Sequence, residues 1–300
     1  MVKRLAPWAY VSPAYLLIAV FSFIPIGYTA YIAFTDYDLA HFLSYHWVGL
    51  TNFVQLFAGP WQPVFLPVLV WTFLFAAITT VFNYVAGLSL ALLLNNPLLA
   101  ESSVYRTLLI IPWGLPGTIA ILAWQGLLST SFGQVNAIMH LAGLGPVPWL
   151  TNPLLAKASM YMVNLWLGFP FFMTACLGGL QSIPGEVYEA AHLDGAGMWA
   201  TLRRVTLPLM TRFSVPLLIS SFAFNFNNFS IVYLLTQGGP PRLSTSFAGS
   251  TDVIASLGYN MTAVFNRYNL SAALSMVLFV IVGAVTLVQM RLSGQFREVD

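Results

Sequence analysis

The chain has 300 residues, of which 58% are hydrophobic and only 7% are charged, whereas a soluble domain carries about 25% charged residues. So few charges cannot cover a water-exposed surface, so the composition excludes an ordinary soluble domain and predicts an all-α integral membrane protein. The net charge of +2 offers no basic surface for nucleic acid, and the single cysteine, Cys176, excludes an internal disulfide and a cysteine-cluster metal site.

Six apolar segments follow one another along the chain, each long enough to cross a bilayer as a helix. They are residues 11–34, 67–94, 105–128, 155–180, 209–235 and 270–291. The first is long for a signal peptide and no convincing cleavage site follows it, so we expect it to stay as a membrane span. Residues 35–66 and 236–268 are polar or begin with Gly and Pro, which predicts loops outside the bilayer.

The distribution of basic residues predicts that both termini are cytoplasmic. With the amino terminus inside, eight of the eleven Lys and Arg residues fall on the inner side. Only Lys157, Arg242 and Arg267 fall outside, which is the asymmetry that cytoplasmic loops normally show. The connection between the fourth and fifth spans, residues 181–208, is then the longest cytoplasmic loop.

This loop carries signals for two short helices. Pro184 suits the first turn of a helix, and Gly195 and Gly197 are expected to end that helix. A second helix over about 198–205 is predicted to end at Pro208. Two short helices joined by glycines would form a compact surface that a partner protein can bind. An ordinary linker that lies on the lipid headgroups explains the same residues equally well.

The spacing of residues in the loop resembles a family motif. Glu189-Ala190-Ala191 is followed after three residues by Gly195, and after nine more by Val205-Thr-Leu-Pro208. This resembles the EAA loop of binding-protein-dependent ABC importer permeases, with Val205 in place of isoleucine. The resemblance implies a type I ABC importer permease fold of six transmembrane helices, forming one domain over residues 1–300. It also implies ATPase coupling through Glu189, Ala190, Ala191, Gly195 and Pro208.

The chain has no ATP site of its own. A P-loop needs G-x-x-x-x-G-K-[ST], and neither Lys3 nor Lys157 follows a glycine or precedes Ser or Thr. We therefore expect a transporter subunit and not an enzyme, with ATP and magnesium bound by partner ATPase subunits. No catalytic residue is predicted, and no metal site, because the histidines are isolated.

In two predicted spans, asparagines share one helical face with aromatic and other apolar residues. The two sets are Asn164, Leu167, Gly168 and Phe171 in the fourth span, and Phe224, Asn225 and Asn228 in the fifth. Amides that faced lipid would lack hydrogen-bond partners, so both faces are predicted to point inward. Amides beside aromatic rings suit a sugar, but contacts between helices explain them as well.

From about Arg106 onward the chain resembles the F-type membrane subunit of maltose/maltodextrin importers. The clearest stretches are 164–170, 221–229, 235–240 and 248–252. The resemblance implies a mid-membrane sugar site formed by Asn164, Leu167, Gly168, Phe224, Asn225 and Asn228. Three further site positions depart from the family, since Trp113, Gly117 and Phe171 stand where it has tyrosine, serine and tyrosine. Hydroxyl hydrogen bonds would be lost there, so the identity of the sugar stays open.

The same resemblance implies a set of partners in a prokaryotic cytoplasmic membrane. They are a homologous G-type permease subunit, two ATP-binding subunits, an extracytoplasmic sugar-binding protein and membrane lipid. The chain is a compact form without the large outer domain of some members, so loops 129–153 and 236–268 are expected to contact the binding protein.

Three alternatives remain. A trehalose permease is open, a glycerol phosphate permease would want Arg or Lys in the cavity, and an ion-coupled secondary sugar carrier would want a carboxylate or histidine within a span.

Overall fold

The computed structural model describes residues 2–96, 98–242 and 245–292. Its regular structure is almost entirely helical. The helices are α1 (Val2–Ile18), α2 (Ile24–Ala33), α3 (Thr51–Phe57), α4 (Gln62–Leu94), α5 (Ser102–Gly114), α6 (Gly117–Leu127), α7 (Gln134–Leu141), α8 (Pro153–Gln181), α9 (Gly185–Leu193), α10 (Met198–Thr201), α11 (Leu207–Phe226), α12 (Phe229–Leu235), α13 (Ile254–Ala263) and α14 (Tyr268–Leu292). Short π-helical segments, Ala19–Phe23 and Leu202–Thr206, precede α2 and α11. Strands β1 (Pro241–Arg242) and β2 (Thr245–Gly249) pair antiparallel.

Among the described residues, five helical stretches are long and apolar enough to cross a membrane. They are Tyr10–Ala33, Gln62–Leu94, Pro153–Gln181, Met198–Phe226 and Tyr268–Arg291. A sixth crossing is present if α5 and α6, which meet at 91°, count as one span. The helical, multi-span class predicted from composition is therefore confirmed, and the number six depends on this bent pair.

The third predicted span, 105–128, is not one continuous helix. Leu115 ends α5 in an extended conformation, with φ −85° and ψ 142°, and Pro116 directly precedes α6. A proline ring clashes with a helical conformation of the preceding residue. The chain therefore turns at this point, and α6 sets off in a new direction.

The fifth predicted span, 209–235, has different bounds in the structure. Its helix begins at Met198 and continues through the π-helical segment Leu202–Thr206 into α11, so the predicted helix end at Pro208 is wrong. A π turn widens the helix directly before Pro208, which lets the proline ring fit within a continuous helical path. At the other end α11 stops at Phe226, and α12 is a separate helix.

The chain divides into two compact units. The first consists of the described residues up to Pro67 together with Ile254–Ile281. In it the buried Asp38 carboxylate accepts hydrogen bonds from the backbone of Ala40 and His41, and from Arg267 Nη1 at 2.7 Å. Burial raises the pKa of Asp38, but the hydrogen bonds from His41 outweigh it, so the pKa lies below its ordinary value.

The second unit, Val68–Val253 together with the described residues from Val282, holds the candidate site. Helices α4 and α8 approach closely, since a Cβ added at Gly87 would lie 2.5 Å from Phe172 Cβ and 2.6 Å from Met173 N. Small residues permit such close helix contacts in membranes. Side chains of α4, α8 and α11 also form an apolar core that includes the buried Cys176.

The loop that carries β1 and β2 is anchored to α4 and to itself. Trp71 Nε1 donates to the carbonyl of Thr251 at 3.2 Å, and Asp252 Oδ2 accepts from Gly249 N at 2.8 Å. Burial lowers the pKa of Arg242, and the charge of Asp252 opposes that shift. This loop is thus fixed by specific bonds within the second unit.

Candidate functional site

A cavity of about 800 Å³ lies within the second unit, among α4, α5, α6, α8, α11 and α12. This volume is within the range of small-molecule sites. All nine residues predicted as sugar contacts line it: Trp113, Gly117, Asn164, Leu167, Gly168, Phe171, Phe224, Asn225 and Asn228. The structure therefore brings together residues of α5, α6, α8 and α11 with the residue that caps α12.

Three buried asparagines form a hydrogen-bonded relay along the cavity wall. Asn83 Nδ2 on α4 donates to Asn164 Oδ1 on α8 at 3.1 Å, and Asn164 Nδ2 donates to Asn225 Oδ1 on α11 at 3.0 Å. Asn225 Nδ2 then donates to the carbonyl of Ser221 at 2.9 Å. Because hydrocarbon offers no hydrogen-bond partners, such a relay fixes the positions of three helices.

The relay limits what two of the predicted site residues can offer a solute. The amide of Asn164 has two N–H groups and an oxygen with two lone pairs, and the relay uses one of each. It therefore retains one donor and one acceptor. The N–H groups of Asn225 are directed to Ser221 and Thr80. The interpretation of these amides as contacts between helices is thus confirmed, and a solute contact by Asn164 remains compatible with it.

Asn228 lines the cavity, but it is not on the helix that the sequence predicted for it. It was expected to share a helical face with Asn225, but α11 ends at Phe226 and Asn228 caps α12. Its Oδ1 accepts from Ile231 N at 3.3 Å, as asparagines before helices commonly do. The amide N–H groups of Asn228 are then the donors that this side chain can present to the cavity.

Aromatic rings form an accessible part of the wall. Phe224 is 74% exposed and Trp113 is 56% exposed, and the rings of Trp113 and Phe171 have centroids 6.5 Å apart. A Cβ at Gly117 would meet nothing within 4 Å, so the space that a serine would fill is open. No charged side chain lines the cavity among the described residues.

Gly168 has a packing role that the sequence did not reveal. A Cβ built on it would lie 2.7 Å from Asn83 Cγ and still closer to Nδ2, nearer than real side chains approach. The missing side chain of Gly168 therefore makes room for the Asn83 amide. Asn83 itself was missed in the sequence, although an asparagine inside an apolar 33-residue helix is a signal in its own right.

Hydroxyl groups of the cavity were also missed. Thr118, Ser220, Ser221 and Ser230 line it. Serine and threonine are common in membrane helices as local hydrogen-bonding residues, so their positions alone carry no distinguishing signal.

The predicted coupling loop forms a projecting helix and turn. Pro184 precedes α9 as expected, and Gly195 follows it at φ +76°, a conformation that favours glycine. Glu189, Ala190, Gly195 and Pro208 are exposed, whereas Ala191 is buried.

Three large apolar side chains also project from this segment: Leu193 is 89%, Met198 88% and Trp199 73% exposed. Exposed apolar side chains of this size are candidates for an interaction surface, although Met198 and Trp199 also begin the candidate span Met198–Phe226. None of the three was among the residues predicted from the sequence.

Metal binding finds no support in the described part of the chain. No group of three or more His, Cys, Asp or Glu residues is placed there to hold an ion.

Comparisons with known proteins agree with this architecture. Residues 84–293 match the family described as "Binding-protein-dependent transport system inner membrane component". The galactooligosaccharides transport system permease protein GanP of Bacillus subtilis is 38% identical over 298 residues, which cover 97% of this chain and 71% of GanP. The maltose/maltodextrin transport system permease protein MalF of Vibrio cholerae is 41% identical over 251 residues, covering 81% of this chain but only 48% of MalF.

A solved structure shares the fold. It is the crystal structure of a bacterial alginate ABC transporter in complex with an alginate pentasaccharide-bound periplasmic protein. One of its chains superposes with a TM-score of 0.81 at 23% identity, covering 98% of this chain and 96% of that one. At 23% identity this similarity supports a shared fold and nothing further.

Proposed function

The chain belongs to the family of binding-protein-dependent transport system inner membrane components, and from that premise we propose that it is the permease subunit of an ATP-driven importer of neutral oligosaccharides. The cavity is its mid-membrane solute site. The observation that carries this proposal is one cavity of about 800 Å³ walled by amides, hydroxyls and accessible aromatic rings. Amides and hydroxyls bond sugar hydroxyl groups, and rings cover the apolar faces of pyranoses.

The charge of the wall supports a neutral solute. Binding of a phosphate or a uronic acid normally uses Arg or Lys, which pair with the anion. The cavity lining contains neither among the described residues. This weighs against glycerol phosphate, and against an acidic polysaccharide such as the alginate named for the structural neighbour.

Among neutral sugars, maltose/maltodextrin-type oligosaccharides are the first candidate. The sequence resemblance and the similarity to MalF support this class. Galactooligosaccharides are the second candidate, since GanP matches nearly the whole of this chain. Trp113, Gly117 and Phe171 lack the hydroxyls expected at their positions, so stacking contributes more to solute binding and hydrogen bonding less.

Coupling to ATP hydrolysis is assigned to the segment from α9 to α10. We place this segment and both termini on the cytoplasmic side, where Glu189 and the exposed Leu193, Met198 and Trp199 contact an ATPase subunit. Two such subunits bind ATP and magnesium, and a homologous permease subunit completes the pathway. Because the segment continues directly into α11, closure of the ATPases moves α11 and the cavity wall that it carries.

On the opposite side, an extracytoplasmic binding protein delivers the sugar. Loops 129–153 and 236–268 are proposed to contact it. The chain then alternates between outward-open and inward-open states, and the sugar leaves toward the cytoplasm after hydrolysis.

The test is sugar-stimulated ATPase activity of the complete complex in liposomes. Maltotriose, a galactose-containing trisaccharide, trehalose, glycerol phosphate and an alginate oligosaccharide would be compared. We expect stimulation by a neutral oligosaccharide, and a loss of about tenfold or more in that stimulation with Asn228→Ala. Asn227→Ala is the matched control, because this neighbouring asparagine is exposed and does not line the cavity. Equal behaviour of the two variants, or stimulation only by an anionic solute, would refute the proposed site.

A further inference from the structure

Asn83 stands at the beginning of the amide relay. It lies in the middle of α4, is only 3% exposed, and lines the cavity. Its Nδ2 donates to Asn164 Oδ1 at 3.1 Å, and its own Oδ1 is buried without a hydrogen-bond partner among the described residues. For packing alone this is an unfavourable residue, because an apolar side chain of similar size would leave no buried acceptor unpaired.

The hydrogen bond donated by Asn83 contributes to the orientation of the Asn164 amide. The terminal torsion of an asparagine has a broad, roughly two-fold preference, so its oxygen and nitrogen can exchange places at little cost. At Asn164 only one of the two orientations satisfies both neighbours. Asn225 directs its N–H groups to Ser221 and Thr80 and so presents Oδ1 to Asn164 Nδ2 at 3.0 Å. Asn164 Oδ1 then accepts the N–H of Asn83 at 3.1 Å.

Orientation matters because Asn164 presents different groups to the cavity in its two states. In the observed state its remaining N–H and its remaining lone pair have fixed positions. Without the bond from Asn83, the amide loses one of the two hydrogen bonds that exclude the reversed state, and only its bond to Asn225 Oδ1 still opposes it. A solute hydroxyl that needs a donor at one point would then meet an acceptor for part of the time.

We propose that Asn83 is a positioning residue of the solute site, which orients the Asn164 amide through its Nδ2 and thereby strengthens sugar binding. This inference rests on the proposed function. The unpaired Asn83 Oδ1 is consistent with this role, because burying that oxygen costs free energy that packing alone does not explain. Gly168 supports it as well, because its missing side chain leaves the space that the Asn83 amide occupies.

The experiment is a double-mutant cycle between Asn83 and Asn164. Maltotriose and a galactose-containing trisaccharide would be titrated into the purified permease–ATPase complex without binding protein, and thermal unfolding would be followed in parallel. We expect Asn83→Leu to weaken binding about fivefold to tenfold, and Asn164→Ala to weaken it more. If Asn83 acts through Asn164, the double variant binds no more weakly than Asn164→Ala alone.

Two further variants separate positioning from packing. Asn83→Thr retains a hydrogen-bond donor and should recover part of the lost affinity, even where Asn83→Leu unfolds early. Val85→Ala, at an exposed position of α4 outside the cavity, should bind like the wild type. Wild-type affinity in Asn83→Leu, or an equal loss in the presence and absence of the Asn164 side chain, would overturn the inference while leaving the proposed function intact. A wild-type complex that binds neither saccharide would overturn both.

Discussion

Replacing Gly168 by alanine tests the geometry at the centre of the site. The added Cβ would lie 2.7 Å from Asn83 Cγ, whereas real side chains essentially never approach within 3.0 Å. The obstructing atoms belong to a buried asparagine whose amide is hydrogen bonded to Asn164 at 3.1 Å. The side chain cannot give way without losing that bond or pushing α4 and α8 apart.

The expected cost follows from these two consequences. Overpacking of a close-packed interior by one methyl group costs about 1–3 kcal/mol, and loss of a hydrogen bond between membrane helices adds about 0.6 kcal/mol. We therefore expect Gly168→Ala to destabilise the complex by about 2–4 kcal/mol, which corresponds to a fall in Tm of roughly 5–15 °C for a domain of this size.

Thermal unfolding of the purified complex in detergent is the assay. Gly178→Ala is the matched control, since it lies on the same helix and its Cβ would meet nothing within 4 Å. Asn83→Ala in the Gly168→Ala background should recover part of the lost stability, because it removes the obstructing amide. If Gly168→Ala and Gly178→Ala unfold at the same temperature, the close approach of Asn83 to Gly168 is wrong.

Three other predictions concern the coupling segment and the first unit. Gly195→Ala should cost about 1–2 kcal/mol, because Gly195 has φ +76°, while Gly197→Ala at φ −72° should be nearly neutral in the same thermal assay. Glu189→Lys should reduce co-purification of the ATPase subunit more than Glu186→Lys, another exposed acidic position on α9; equal loss would remove the specific docking role. The pKa of Asp38 is held below its ordinary value of 3.8, so the stability that it contributes is full above about pH 4 and is lost as the pH falls through the lower folded value. In Asp38→Asn the free energy of unfolding should therefore fall less steeply on acidification. The same pH dependence in the variant and the wild type would contradict this.

Much of the architecture follows from local sequence features. The shortage of charge and the length of the apolar segments determined a helical membrane protein, because only helices satisfy their own backbone within lipid over such stretches. The fixed period of a helix placed Asn164, Leu167, Gly168 and Phe171 on one face of α8, and all four line the cavity. The turn after α9 followed from Gly195 in the same way, since its backbone conformation is a local property.

Where the helices break was not determined by the sequence. Prolines lie inside α4, α5, α8 and α11 without ending them, yet at Pro116 the chain turns through 91°. A proline removes one hydrogen bond and favours a bend, but packing against neighbouring helices decides whether the helix continues. The break at Asn227, which separates Asn228 from the face of Asn225, has no comparable local signal.

The pairing of the amides was decided by tertiary structure alone. The sequence shows Asn83, Asn164 and Asn225 as isolated polar residues in three apolar segments, and nothing local states which of them meet. Asn83 and Asn164 are 81 positions apart, and Asn164 and Asn225 are 61 apart. Their contact depends on how α4, α8 and α11 pack, and that packing depends on side chains along the full length of each helix. Residue types and spacing therefore predicted which faces look inward, whereas the relay that joins those faces into one site is a property of the folded chain.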